Sequence, residues 1–165
     1  MLFRSGNHSS FYIGGRYKAK IAATFTFTVG LSLNCPAGGD APLLFLTNGT
    51  AASSPVIAFG FSANSGGFGG GIFISSWNSF TNSWSATNFS SATTVSLPQI
   101  VYCRVVETAS NRTYYMSFDK QNWVQVYQST LTSFLTTAYY GIGIMGGNNS
   151  APGVAWAASV EETTP

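Results

Sequence analysis

The stretch from Gln99 to Tyr127 reads QIVYCRVVETASNRTYYMSFDKQNWVQVY and predicts three consecutive antiparallel strands. The strands are QIVYCRVVE, RTYYMSF and WVQVY, and each is rich in Val, Ile, Tyr or Phe, which are enriched in β-structure. Ser, Asn, Asp and Lys dominate the two connections, at Thr108 to Asn111 and at Asp119 to Asn122. The stretch therefore predicts two successive hairpins in an all-β domain.

The composition of the whole chain agrees with that prediction. The 165 residues are long enough to bury a core without disulfides or metals. Only 7% of residues are charged, against about 25% in ordinary soluble domains. A net charge of +2 is too small to indicate a nucleic-acid partner. No apolar run approaches the ~20 residues of a membrane span, so we expect none.

Outward from the hairpins, the segment from Lys20 to Leu33 shows the clearest alternation in the chain. Its apolar residues are spaced two apart and alternate with Thr, Gly and Ser: Ala23, Phe25, Phe27, Val29 and Leu31. Period two over ten residues indicates a strand with one core face and one hydroxylated face. The segment Ser129 to Thr137 has spacing that suits a single turn or a short helix.

The remaining segments are short apolar runs separated by Gly, Pro and Asn turns. Together they predict roughly ten or eleven strands in a two-sheet antiparallel β-sandwich of the jelly-roll type. We expect a single sandwich domain over residues 19–162. Residues 1–18 are expected to form an N-terminal arm or edge strand.

Four of the seven cations lie in the first twenty residues, with no acid among them. They are Arg4, Arg16, Lys18 and Lys20. This cluster indicates either a docking arm for an acidic partner or a strand edge protected from aggregation by its charges. Of the two cysteines, Cys103 is expected to be a small buried residue, and a Cys35–Cys103 disulfide stays open.

The segment from Trp77 to Phe89 is the candidate ligand-binding surface. Aromatic rings interleaved with amides suit sugars, whose C–H faces stack on indole while their hydroxyls pair with amides. The candidate binding residues are Trp77, Asn78, Phe80, Asn82 and Trp84. Two alternatives stay open: some rings point inward as core, or they form a subunit contact.

The carboxylates do not indicate an enzyme. Glycosidases need two carboxylates about 5–10 Å apart, and no strand motif pairs the five acids of this chain. These are Asp40, Glu107, Asp119, Glu161 and Glu162. The lone His8 lies in a turn-like context and serves neither a triad nor a metal site. We expect no catalytic residues, no metal and no cofactor.

The same hairpins carry a resemblance to a known family. Arg104-Val105-Val106, the run Tyr114 to Asp119, and Trp123 resemble a pattern of concanavalin A-like (lectin/glucanase) β-sandwich domains. Such domains include those of phage tail and other virion proteins. Lys120 stands where the pattern has a turn glycine. In this hairpin we expect Asp119 to cap the turn, Trp123 to lie across its base, and Arg104 to pair with Asp119 or Glu107.

The resemblance and the low charge together suggest a non-enzymatic phage virion surface protein. Its expected role is adhesion, receptor or glycan binding in a tail or capsid fibre, with partners among virion proteins, copies of itself and host-surface glycans. A structural capsid decoration or cement protein without a ligand is the alternative, and a glycoside hydrolase or lyase is a further one. Contact is expected through the Trp77 to Phe89 segment or a flat hydroxylated sheet face.

Overall fold

A computed structural model describes residues 2–4, 12–32, 41–62, 71–81, 83–90, 100–146 and 154–163. Their regular structure is entirely β-strand, and these ranges contain no helix long and apolar enough to cross a membrane. The strands are β1 (Leu2–Arg4), β2 (Tyr12–Ala19), β3 (Phe25–Ser32), β4 (Ala41–Thr47), β5 (Val56–Ser62), β6 (Gly71–Ser79), β7 (Ser83–Ser90), β8 (Ile100–Glu107), β9 (Asn111–Ser117), β10 (Val124–Thr130), β11 (Tyr139–Gly146) and β12 (Val154–Thr163).

The strands form two antiparallel sheets of six strands each. The first sheet has the order β1-β12-β3-β8-β9-β10, and the second has the order β2-β11-β4-β5-β6-β7. This arrangement confirms the predicted two-sheet antiparallel β-sandwich. The N-terminal segment supplies β1 and β2, which are the outermost strands at one end of their respective sheets.

The two predicted hairpins form the outer half of the first sheet. Tyr102 lies opposite Ser117 in the β8–β9 pair, and Val124 lies opposite Met116 in the β9–β10 pair. After β10 the chain makes a turn, in which the Ser133 N–H donates to the Thr130 carbonyl at 3.1 Å. The alternative of a short helix here is therefore wrong, and the single turn is the form observed.

The main core lies between the sheets. The apolar face of β3 supplies it from the first sheet, including Phe27, whose ring centroid is 4.6 Å from that of Tyr140 in the second sheet. Cys103 is fully buried in this core and is a free thiol, as expected of a small apolar residue. Cys35 lies outside the described residues.

A second apolar layer covers the outer face of the second sheet. Its buried members are Ile13, Ala41, Leu43, Phe45, Val56, Ala58, Phe73, Trp77 and Met145. The Phe45 ring lies over Gly15 and Gly141, where an added Cβ would come within 2.9 Å and 2.5 Å of ring carbons. Both glycines are therefore required for a close approach. β4 and β6 are buried on both faces as a result.

A buried ion cluster joins β8 and β9 to the turn after β10. The Arg112 Nε donates to Glu107 Oε1 at 2.6 Å, and both side chains are fully buried. Arg112 Nη2 also donates to the carbonyls of Leu131 and Leu135, at 2.9 and 3.1 Å. The guanidinium thus supplies hydrogen-bond donors to carbonyl groups of the turn that are not paired in a β-sheet. These bonds fix the position of the turn.

Candidate functional site

The structure does not present the predicted aromatic segment as a single surface. Trp77 is only 1% exposed, and its Nε1 donates to Ser75 Oγ at 2.8 Å. Its side chain belongs to the second apolar layer, so the expectation that this indole offers a face to a sugar is corrected. Phe80 packs against the same layer, with its ring centroid 5.5 Å from that of Phe45.

The physical reason is the path of the chain after β6. The Phe80 N–H donates to the Ala52 carbonyl at 3.0 Å, and the Phe80 carbonyl accepts from the Ile13 N–H at 2.9 Å. These bonds tie the segment to the β4–β5 loop and to β2, so Phe80 turns toward the sheet. Of the predicted binding residues, only Asn78 has a side chain observed to be exposed.

Two of the predicted binding residues stay untested. The backbone of Trp84 pairs with Trp77 in the β6–β7 ladder, and its side chain lies outside what the structure describes. Asn82 is outside the described residues altogether. The contribution of Trp84 to binding therefore stays a prediction.

The N-terminal cations are not uniformly free for an acidic partner. The Lys18 ammonium lies 2.6 Å from Glu162 Oε2, and the Lys20 ammonium lies 2.7 Å from Glu107 Oε2. Lys18 of β2 and Lys20, which follows β2 directly, both pair with carboxylates of the first sheet and are satisfied within the domain. Arg16 lies on the same face of β2 and has no ion-pair partner among the described residues. The side chain of Arg4 is not described.

The outer face of the first sheet carries a row of polar and aromatic side chains, most of them partly exposed. We call the surface formed by Thr28, Tyr102, Arg104, Tyr115, Trp123 and Glu161 the polar face. Register places Glu161 opposite Thr28, Thr28 opposite Arg104, and Arg104 opposite Tyr115, in one row across four strands. The even-numbered residues of β8 are more exposed than the odd-numbered ones, so this row faces outward.

Arg104 and Trp123 form the centre of the polar face. The guanidinium carbon lies 3.6 Å from the centroid of the indole ring, and Arg104 Nε donates to Thr28 Oγ1 at 3.0 Å. Arg104 therefore pairs with neither Asp119 nor Glu107, which corrects the prediction. Glu107 lies three positions along the strand and so points to the opposite face. Burial lowers the pKa of Arg104, and the charge of Glu161 partly offsets this effect.

The β9–β10 turn, which directly precedes Trp123, is closed by Asp119. Asp119 Oδ1 accepts the backbone N–H groups of Gln121 and Asn122, both at 2.8 Å. These bonds confirm the predicted cap, and they keep the pKa of Asp119 well below its ordinary value. Lys120 adopts φ = 65° and forms an ion pair with Glu161. It thus takes the left-handed conformation that the replaced glycine would adopt most easily.

The described carboxylates are all engaged in structural contacts. Glu107 is held by Arg112, Lys20 and the Thr137 hydroxyl, while Asp119 caps a turn. The two carboxylates of β12 pair with lysines, Glu161 with Lys120 and Glu162 with Lys18. These described carboxylates therefore do not form the pair of free carboxyl groups that a glycosidase uses as acid and base. The described residues also contain no cluster of three or more potential metal ligands.

No protein-family model matches the chain, and no curated protein matches it in sequence. Solved structures do resemble it. Sheep galectin-11 in complex with glycerol superposes with a TM-score of 0.57 at 11% identity, over 90% of this chain and 97% of that one. CG-16, a homodimeric agglutinin from chicken liver, gives a TM-score of 0.55 at 9% identity, over 91% and 100%.

A glycosidase is also among the similar structures. The xylan β-1,4-xylosidase of Bacillus halodurans gives a TM-score of 0.64 at 9% identity, over 90% of this chain and 29% of the enzyme. The chain thus spans less than a third of that protein. At these identities the likeness shows the fold alone, which is a two-sheet antiparallel β-sandwich shared by these lectins and this enzyme.

Proposed function

We propose that this protein is a non-enzymatic carbohydrate-binding β-sandwich that contacts glycans through its polar face. The observation that carries the proposal is the Arg104–Trp123 stack at the centre of an outward row of hydrogen-bonding side chains. The likeness in fold to a galectin and an agglutinin supports it.

The chemistry of the polar face suits a sugar ring. An indole presents an apolar face to ring C–H groups, while a guanidinium donates to ring hydroxyls in a fixed fork. Arg104 is already held by Thr28 and by the indole, so little side-chain entropy is lost when a ligand binds. Glu161 supplies an acceptor, and the Tyr102 and Tyr115 hydroxyls supply both donors and acceptors.

The proposal does not include hydrolysis because of the state of the carboxylates that the structure describes. A general acid in a glycosidase needs a raised pKa, whereas the pKa values of Asp119 and Glu162 are lowered. Glu107 is buried against Arg112 and is not open to a substrate. We therefore expect no release of reducing sugar from glycans that the protein binds.

Binding to a glycan array, followed by titration with the best glycan, tests the proposal. Trp123→Ala should lower affinity by at least tenfold, because it removes the stacking face and the support of Arg104. Phe134→Ala is the matched control, since its ring is 40% exposed in the turn after β10, outside the polar face. An unchanged affinity for Trp123→Ala in a folded protein contradicts the assignment of the polar face.

Trp84→Ala separates the two candidate surfaces. If the β6–β7 segment is the binding surface, Trp84→Ala lowers affinity and Trp123→Ala does not. The polar-face assignment requires the reverse result. In both variants, a far-UV circular dichroism spectrum like that of the wild type must accompany the binding data.

The virion setting is a proposal from the sequence alone, based on low charge and on the resemblance of the hairpin. In this setting the protein lies on the surface of a phage particle, where glycan binding would serve adhesion to a host. The alternative of a decoration protein without a ligand expects that no glycan binds. Purified particles assembled with Trp123→Ala decide between them: adhesion requires normal incorporation with weakened attachment, and decoration requires unchanged attachment.

A further inference from the structure

A cleft opens at one edge of the sandwich, where β2 and β11 face β3 and β12. Its volume is about 370 Å³, which is the scale of a small-ligand site. Its lining includes Arg16, Lys18, Phe27, Tyr140, Ile142 and Glu162. The cleft lies at the opposite edge of the sandwich from the β9–β10 hairpin and shares no residue with the polar face.

Two buried polar atoms in the lining lack hydrogen-bond partners among the described residues. These are the Tyr140 hydroxyl and Glu162 Oε1. Tyr140 is only 3% exposed, and burial together with the neighbouring Glu162 carboxylate raises its pKa. The Tyr140 hydroxyl lies beside the Glu162 carboxylate, close enough to raise the pKa of the hydroxyl, but the two groups do not reach the geometry of an ordinary hydrogen bond. A buried polar group without a hydrogen-bond partner destabilises the folded protein. Such groups are therefore rare where a side chain has only a structural role.

The charges of the cleft favour an anion. Lys18 neutralises Glu162 through the contact to Oε2, and the Lys18 side chain remains 60% exposed. Arg16 projects from the same face of β2, and its guanidinium has no ion-pair partner in the described ranges. The three groups together leave one net positive charge, which would suit one carboxylate bound by the planar fork of Arg16.

The apolar residues of the lining favour a ligand that has an apolar face. Phe27 and Ile142 both belong to the inter-sheet core and present C–H and ring surface to the cleft. A ligand must therefore combine an apolar face with an anionic group and with hydroxyls. The hydroxyls would satisfy Tyr140 and Glu162 by accepting from the first and donating to the second.

We propose that this cleft binds an acidic monosaccharide of the hexuronic-acid type. The carboxylate pairs with Arg16, a ring hydroxyl bridges Tyr140 and Glu162, and the C–H face of the ring packs on Phe27 and Ile142. The site is separate from the polar face, so either can be correct without the other.

Titration calorimetry of the whole chain with D-glucuronate tests this inference, with D-glucose and inorganic phosphate as comparison probes. We expect saturable glucuronate binding, and at least tenfold weaker binding of the other two. Equal binding of phosphate would show attraction by charge alone and would overturn the proposal, as would an absence of saturable glucuronate binding.

Two variants test the roles of individual groups. Arg16→Gln should lower glucuronate affinity at least tenfold, and an unchanged affinity would overturn the proposal. Tyr140→Phe should lower affinity while raising the melting temperature of the free protein, because it removes a buried unpaired hydroxyl. Tyr140→Phe with unchanged affinity would contradict the bridging role. Phe134→Ala is the control, because its ring is 40% exposed in the turn after β10, outside both the cleft and the polar face, and it should leave glucuronate binding unchanged.

Discussion

Lys120 has a backbone conformation that its side chain disfavours. It sits at φ = 65°, where glycine is favoured by about 1 kcal/mol over residues with a Cβ. Lys120→Gly relieves that strain but loses the ion pair with Glu161, and Lys120→Ala loses the pair while keeping the strain. We therefore expect the glycine variant to be more stable than the alanine variant by about 1 kcal/mol in urea unfolding. Equal stabilities would contradict a strained Lys120.

Arg112 is the residue whose removal should cost most. Arg112→Met leaves Glu107 buried without its main partner, and such losses cost about 3–5 kcal/mol. Lys120→Met is the control, because it breaks an exposed pair worth about 0–1 kcal/mol. Adding Glu107→Gln to Arg112→Met should recover part of the lost free energy of unfolding. A double variant no more stable than Arg112→Met would show that lost packing, and not the unpaired charge, causes the effect.

Among the elements, the β9–β10 turn should make stability depend on acid. Hydrogen bonds to Asp119, first from the Asn122 N–H and then from the Gln121 N–H, lower its folded-state pKa below the unfolded value of about 3.9. A lowered folded pKa contributes stability above about pH 4 that is lost as pH falls. Asp119→Asn keeps an acceptor without a titrating group. The stability difference between wild type and variant, followed by urea unfolding from pH 6 to pH 2, should shrink on acidification; a constant difference contradicts this.

The strands and turns differ in how well they could be predicted from the sequence. The alternation in β3 and the turn chemistry around Asp119 are local signals, so strands and hairpins were predictable from them. The burial of Trp77 was not predictable from local signals, because the outer face of β6 belongs to a layer that includes Ile13 from β2 and Phe45 from β4, which are distant in sequence. The edge cleft was not predictable for the same reason, since Lys18 meets Glu162 across 144 positions.

At the scale of the whole molecule, the chain passes between the two sheets six times. The first sheet takes β1, β3, β8–β10 and β12, and the second takes the rest, so neither is a continuous piece of sequence. Ring contacts join them across the core, with Phe59 and Tyr114 centroids 5.6 Å apart at 90°. The inner face of each sheet is buried only while the other sheet packs on it. We therefore expect a single cooperative unfolding transition.

Tryptophan fluorescence can follow each sheet separately and so test that expectation. Of the four tryptophans, Trp77 reports on the second sheet and Trp123 on the first. Two variants, each keeping one of these and carrying Phe at the other three positions, should each give urea midpoints that match their own far-UV circular dichroism transition. Each variant must first show a native-like spectrum. A Trp123 transition that precedes loss of the circular dichroism signal would mean that the β9–β10 hairpin unfolds independently, and that the polar face is held by its own turn and not by the sandwich.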